Sequence, residues 1–101
     1  MKTLLARAAL ATALVLSFST SEAKNTVEMS QLTCKDLLNV LEETPDSFAV
    51  FVVWIDGYLG GVVGNTEFDP DYMGELSEAL VTACSESPKK NVIAVAREVA
   101  L

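Results

Sequence analysis

Thr44-Pro-Asp-Ser-Phe48-Ala-Val-Phe-Val-Val-Trp-Ile55-Asp-Gly-Tyr58-Leu-Gly-Gly61 is the stretch on which the fold turns. Phe48 to Ile55 are eight uncharged residues with almost no polar face, so periodicity alone does not separate helix from strand. Their β-branched and aromatic content suits a buried strand. Against that, Pro45 stands where a helix begins, the run reaches Leu59, and Gly60-Gly61 reads as a stop, which together predict a helix over 45–59. A helix that is apolar all round has to be covered on every side, and short neighbours in a small domain can hardly do so alone. A dimer interface is the natural cover; the alternative is the central helix of a monomer.

Working outward, all three prolines follow a good N-cap residue: Thr44-Pro45, Asp69-Pro70 and Ser87-Pro88. Each reads as a helix start with Pro at the first helical position. A further start is Thr33, with Asp36 three residues on imitating a capping box. Four helices result. The first, over 34–43, places Cys34, Leu37, Leu38 and Leu41 on one buried stripe. The third, over 70–85, places Met73, Leu76, Leu80 and Cys84 together, with Glu75 and Glu78 elsewhere. The last, over 88–99, turns Val92, Ile93, Ala96 and Val99 inward and leaves Arg97 and Glu98 outside. Residues 60–67 read as a flexible loop. The fold class is all-α, a small four-helix domain.

The chain opens like a secretory signal: Lys2 and Arg7 lead into an uncharged apolar stretch from Ala8 to Phe18, and Ser21-Glu22-Ala23 fits a small-residue cleavage site. Residues 1–23 are thus expected to be a signal peptide, leaving 24–101 as one domain. Eleven apolar residues fall short of the roughly 20 that a spanning helix needs. An exported chain reaches an oxidising compartment, where its two cysteines can pair completely. A Cys34–Cys84 disulfide is expected, joining inward-facing positions on the first and third helices. Closing that loop stabilises a small fold by roughly 4 kcal/mol in the chain-entropy model.

The whole chain carries 7 cations against 14 carboxylates; without residues 1–23 the balance is 5 against 13, a formal charge of minus 8. Such a surface repels phosphate backbones and anionic lipid at neutral pH, so neither nucleic acid nor membrane is an expected partner there. The chain has no histidine, which excludes Ser-His-Asp and Cys-His sites and His-ligated metal. Asp69-Pro-Asp71-Tyr-Met-Gly74 resembles the opening of a calcium loop, but Met73 stands at a ligand position and Leu80 where the closing Glu belongs. Gly57, Gly60, Gly61 and Gly64 lack the Gly-Lys-Ser/Thr ending of a phosphate loop. The expectation is a non-enzymatic protein without metal or cofactor. With no histidine, titration between neutral and strongly acid pH belongs to Asp, Glu and the chain termini, so any pH response is concentrated below about 5.

Leu32-Thr-Cys34-Lys-Asp-Leu-Leu38, Trp54-Ile-Asp-Gly-Tyr58 and Ala83-Cys84-Ser-Glu-Ser-Pro88 resemble, in order and spacing, the HdeA/HdeB family of acid-stress chaperones. The likeness spans roughly residues 32 to 96. It implies an HdeA-like four-helix fold with Cys34 and Cys84 bridged, a periplasmic homodimer at neutral pH, and acid-triggered exposure of apolar surface that holds unfolding clients. Asp36 matches an acidic position implicated in acid sensing. Phe48, Phe51, Val52, Trp54, Ile55 and Tyr58 fall in the segment tied to dimer contact and client binding. One departure is that only Lys24, Lys89, Lys90 and Arg97 lie near the ends of 24–101, where family members often carry more lysine. The competing class is a periplasmic immunity protein neutralising a cell-wall-degrading effector, for which Asp56-Gly-Tyr-Leu-Gly60 would supply a G-Y-x-x-G-like turn.

Overall fold

The computed structural model describes residues 26–101; the expected signal peptide 1–23 lies outside the described residues. A 3-10 turn at Met29–Gln31 leads into four α-helices: α1 (Cys34–Glu43), α2 (Pro45–Val63), α3 (Tyr72–Glu86) and α4 (Val92–Ala100). No strand occurs among the described residues, so the apolar run 48–55 is helical. Its helical start is legible in Pro45, whose missing N–H leaves no unpaired donor at the first position.

Three expected boundaries move, each for a reason visible in the hydrogen bonds. α2 does not stop at Gly60-Gly61 but runs through them to Val63. The stop is Gly64, at φ 74°, where a left-handed residue closes a Schellman motif: the Asn65 amide donates to the Gly60 carbonyl at 2.8 Å and the Gly64 amide to the Gly61 carbonyl at 3.4 Å. Gly60 is needed for that closure, since a Cβ there would lie 2.9 Å from the Asn65 carbonyl oxygen. The irregular stretch is correspondingly shifted, running over 64–71 in place of 60–67. Pro70 precedes α3 rather than opening it: the Asp69 carboxylate accepts from the Asp71 amide at 3.0 Å, and the helix proper begins at Tyr72.

Pro88 does not open the last helix either. Residues 88–91 run alongside the start of α1, where the Pro88 carbonyl accepts from the Lys35 amide at 2.9 Å and the Lys90 carbonyl from the Cys34 amide at 2.8 Å. These amides belong to the first turn of α1, which has no intrahelical partner for them. Asn91 is the true N-cap of α4, its side-chain oxygen accepting from the Ala94 amide at 3.1 Å. Thr44, expected as a side-chain cap for α2, turns its hydroxyl back to the Val40 carbonyl at 3.3 Å, while its own carbonyl takes the Ser47 and Phe48 amides.

α1 packs on α2 and α3, and α4 covers α3 and α2 while also meeting the 3-10 turn. Leu37, Ile55, Leu76, Leu80, Val52, Val92 and Val95 are fully buried, each side chain worth about 1.5–3 kcal/mol of burial. Leu38, Leu41 and Met73 are half-buried against this core, as their periodicity requires. α4 is rotated from the expected setting: Val95 is buried and Val99 lies outside. No polar or charged side chain is buried among the described residues.

Candidate functional site

Two places stand out. One is a closed corner where α1 begins. Cys34 and Cys84 are bridged there across 50 residues, with both side chains fully buried and Cα atoms 4.8 Å apart. Next to the bridge, the Thr33 hydroxyl oxygen accepts from the Asp36 amide and Asp36 Oδ2 accepts from the Thr33 amide, both at 3.1 Å, completing a capping box with the shorter acid. The Asn91 side chain ties the same corner to the 3-10 turn by donating to the Ser30 carbonyl at 2.6 Å. The first-turn amides of α1 are thereby all paired: with the 88–91 segment, with the Thr33 hydroxyl, and with the Thr33 carbonyl through Leu37.

The two hydrogen bonds to Thr33, backbone first, hold the Asp36 carboxyl below its ordinary value of 3.8, with a smaller pull in the same direction from Lys35. A carboxyl lowered in the folded state contributes stability that is present above its unfolded value and lost as pH falls through the lowered folded one. The cap's contribution is therefore kept in mild acid and lost only as pH falls through the lowered value. Because Asp36 is exposed, solvent screens the effect and keeps it small.

The other place is the outer face of α2. Phe48, Val52 and Ile55, three of the expected contact residues, are buried and join Leu59 in the stripe that α2 turns to the core. Phe51 is half-buried beside them. Trp54 and Tyr58 point outward, their rings stacked with centroids 5.6 Å apart and planes within 6°. Around that pair lie residues not singled out from the sequence: Val50, 66% exposed, Val53, Val62 and Val63. A step of 100° per residue from the buried stripe 48-52-55-59 would have found Val50 and Val53, since it sets them opposite the core. Gly57 and Gly61 lie on the exposed side as well, with open space where a Cβ would be. Asp56-Gly-Tyr-Leu-Gly60 is helical, not a turn.

On the core side of α2 an open groove of about 430 Å³ lies between α1, α2 and α3, floored by Leu41, Phe48 and Val81 and rimmed by Ser77, Glu78 and Thr82. Phe48, though buried, thus borders solvent-reachable apolar space. Among the described residues no group of acidic or cysteine side chains is arranged to hold a metal ion. What the arrangement offers is apolar contact area.

No curated protein and no solved structure gives a significant match to the chain. The model of the HdeA/HdeB family matches residues 3–94. A match of that length reaches well past the cysteine and tryptophan motifs and takes in α1, α2, α3 and the first turn of α4. The chain belongs to the HdeA/HdeB family, a family of periplasmic acid-stress chaperones.

Proposed function

We propose that this protein is an exported periplasmic chaperone that pairs through the outer face of α2 at neutral pH and in acid turns that face, with the groove between α1, α2 and α3, to unfolding client proteins. The observation that carries the reading is the exposed Val50, Val53, Trp54 and Tyr58 surface on a helix of an otherwise acidic molecule. Gly57 and Gly61 support a close partner. A mid-helix glycine costs about 1 kcal/mol relative to alanine, and packing within one chain gives no return for it at either position.

Acid acts here through the surface, because no charged side chain is buried among the described residues. Protonation removes the negative charge that dominates the described residues, and four cations remain: Lys35, Lys89, Lys90 and Arg97. Two paired copies then repel by positive charge, and the Asp36 cap is lost as pH falls through its lowered value. The buried disulfide keeps α1 and α3 joined throughout, so the acid form remains tethered while apolar surface is presented.

The test follows aggregation of an unrelated client from pH 7 to pH 2 with the molecular mass of the protein measured in parallel. Pairing at pH 7, separation in acid and protection in acid alone are expected. A protein that protects nothing at any pH, or that binds one effector tightly at pH 7 and no others in acid, overturns the reading.

A further inference from the structure

α2 is long and apolar enough, by length and composition, to cross a membrane, yet only 22% of its most apolar 18-residue window is buried. Nineteen residues at 1.5 Å each make about 28 Å of helix. Crossing is not what the fold allows, because Phe48, Val52, Ile55 and Leu59 hold α2 to the core along its whole inner side. Lying flat is a different matter. A helix with one side apolar and exposed settles into the boundary between headgroups and acyl chains, bound by its buried apolar area and by attraction between cations and anionic lipid. Trp and Tyr favour that depth, and here they form the stacked centre of the exposed side.

Charge decides when this can happen. On α2 the ionisable side chains are Asp46, Asp56 and Tyr58. α1, packed beside it, brings Lys35, Asp36, Glu42 and Glu43; α3 brings Tyr72, Glu75, Glu78 and Glu86, of which Glu78 shares the groove with Phe48. α4 adds Arg97 and Glu98, and the connection after α2 adds Glu67, Asp69 and Asp71, the first two sharing a recess with Asp56 and Val63. At pH 7 this set is heavily negative and repels anionic lipid. At pH 3, below the ordinary range of Asp and Glu, most of it is neutral while lysine and arginine stay charged. Phosphodiester headgroups are much stronger acids than carboxyls and keep their charge. Lys35, Lys89 and Lys90 are moreover gathered at one corner by the bonds from the Cys34 and Lys35 amides to the Lys90 and Pro88 carbonyls.

We infer that below about pH 4 the outer face of α2 docks flat onto anionic phospholipid surfaces, with Val50, Val53, Trp54 and Tyr58 as the inserted residues. This goes beyond client holding and does not require the chain to unfold, since these side chains are already exposed.

Trp54 is the chain's single tryptophan and reports its own insertion. Protein recovered from the periplasm is mixed at pH 3 and pH 7 with vesicles of phosphatidylcholine, alone or with a third of phosphatidylglycerol. Flotation and Trp54 emission are then measured. The expected result is co-flotation with a blue shift at pH 3 on the anionic vesicles, falling about tenfold on phosphatidylcholine alone and vanishing at pH 7. Val50→Asn with Val53→Asn, both at exposed positions, should weaken binding about tenfold. Equal binding to both lipids, binding at pH 7, an unaffected double variant, or the same blue shift without vesicles and no protein in the floated lipid each overturns the inference. A protein that fails to float yet protects a client in lipid-free acid loses only the membrane inference, whereas one that floats without protecting loses only the chaperone reading.

Discussion

The corner at the start of α1 and the outer face of α2 are built on opposite plans. At the corner each first-turn amide has a partner, two cysteines are covalently joined, and the segment 88–91 is held out of helical form to supply carbonyls. On α2 a comparable length of helix leaves valines, an aromatic pair and two glycines facing outward with no contact that explains them. The contrast teaches that stability is concentrated at one end, so that a costly apolar surface can be carried elsewhere without loss of the fold. A domain of this size has few kcal/mol to divide between the two.

Opening the corner covalently should have the largest effect. Replacing Cys34 and Cys84 together by serine removes roughly 4 kcal/mol, a fall in Tm of at least about 15 °C by thermal unfolding at pH 7. An unchanged Tm would mean that the hydrogen bonds and core alone hold that end, and the contrast would dissolve. Thr33→Ala comes next, costing about 1 kcal/mol through the lost cap. In the same box, Asp36→Asn keeps an acceptor for the Thr33 amide but cannot titrate. Its denaturation midpoint should therefore fall less than that of the parent as pH drops below the ordinary value of 3.8 and through the lowered value at which the Asp36 group protonates. Parallel falls would show that Asp36 carries none of the acid response. Smallest is Gly57→Ala on the outer face, which should stabilise the isolated chain by somewhat under about 1 kcal/mol while weakening self-association, measured by unfolding and by sedimentation on the same sample. A gain in stability with unchanged association would remove the glycine from any interface.

Much of the corner was legible in the sequence because its signals are local or covalent. Thr33 and Asp36 are three residues apart, Cys34 and Leu37 share a helical stripe, and two cysteines in a chain expected to be exported have one pairing. The 88–91 segment was not, although Ser87-Pro88 is a fair start signal on its own. What overrides it is demand from residues more than 50 positions earlier, the unpaired amides of Cys34 and Lys35, which no local rule registers. Gly60-Gly61 misled for a related reason. Gly60 is there for a close approach by Asn65 after the helix has ended, not to end it. On α2 the apolar run named the right helix but not its orientation: Trp54 and Tyr58 are outside, whereas Phe48, Val52 and Ile55 lie in the core. A run this uniform hides its own orientation, which is set by the partners that α1, α3 and α4 provide.

No polar or charged side chain is buried among the described residues, and this has one further consequence. Under the proposed function, the groups that set an acid response and those that form the core are largely separate, with Asp36, which caps α1 and also titrates, as the exception. Surface carboxylates can be gained or lost at little cost, usually within about 0.5 kcal/mol each. An acid response of the proposed kind could therefore be retuned by surface substitutions while the bundle beneath is left unchanged.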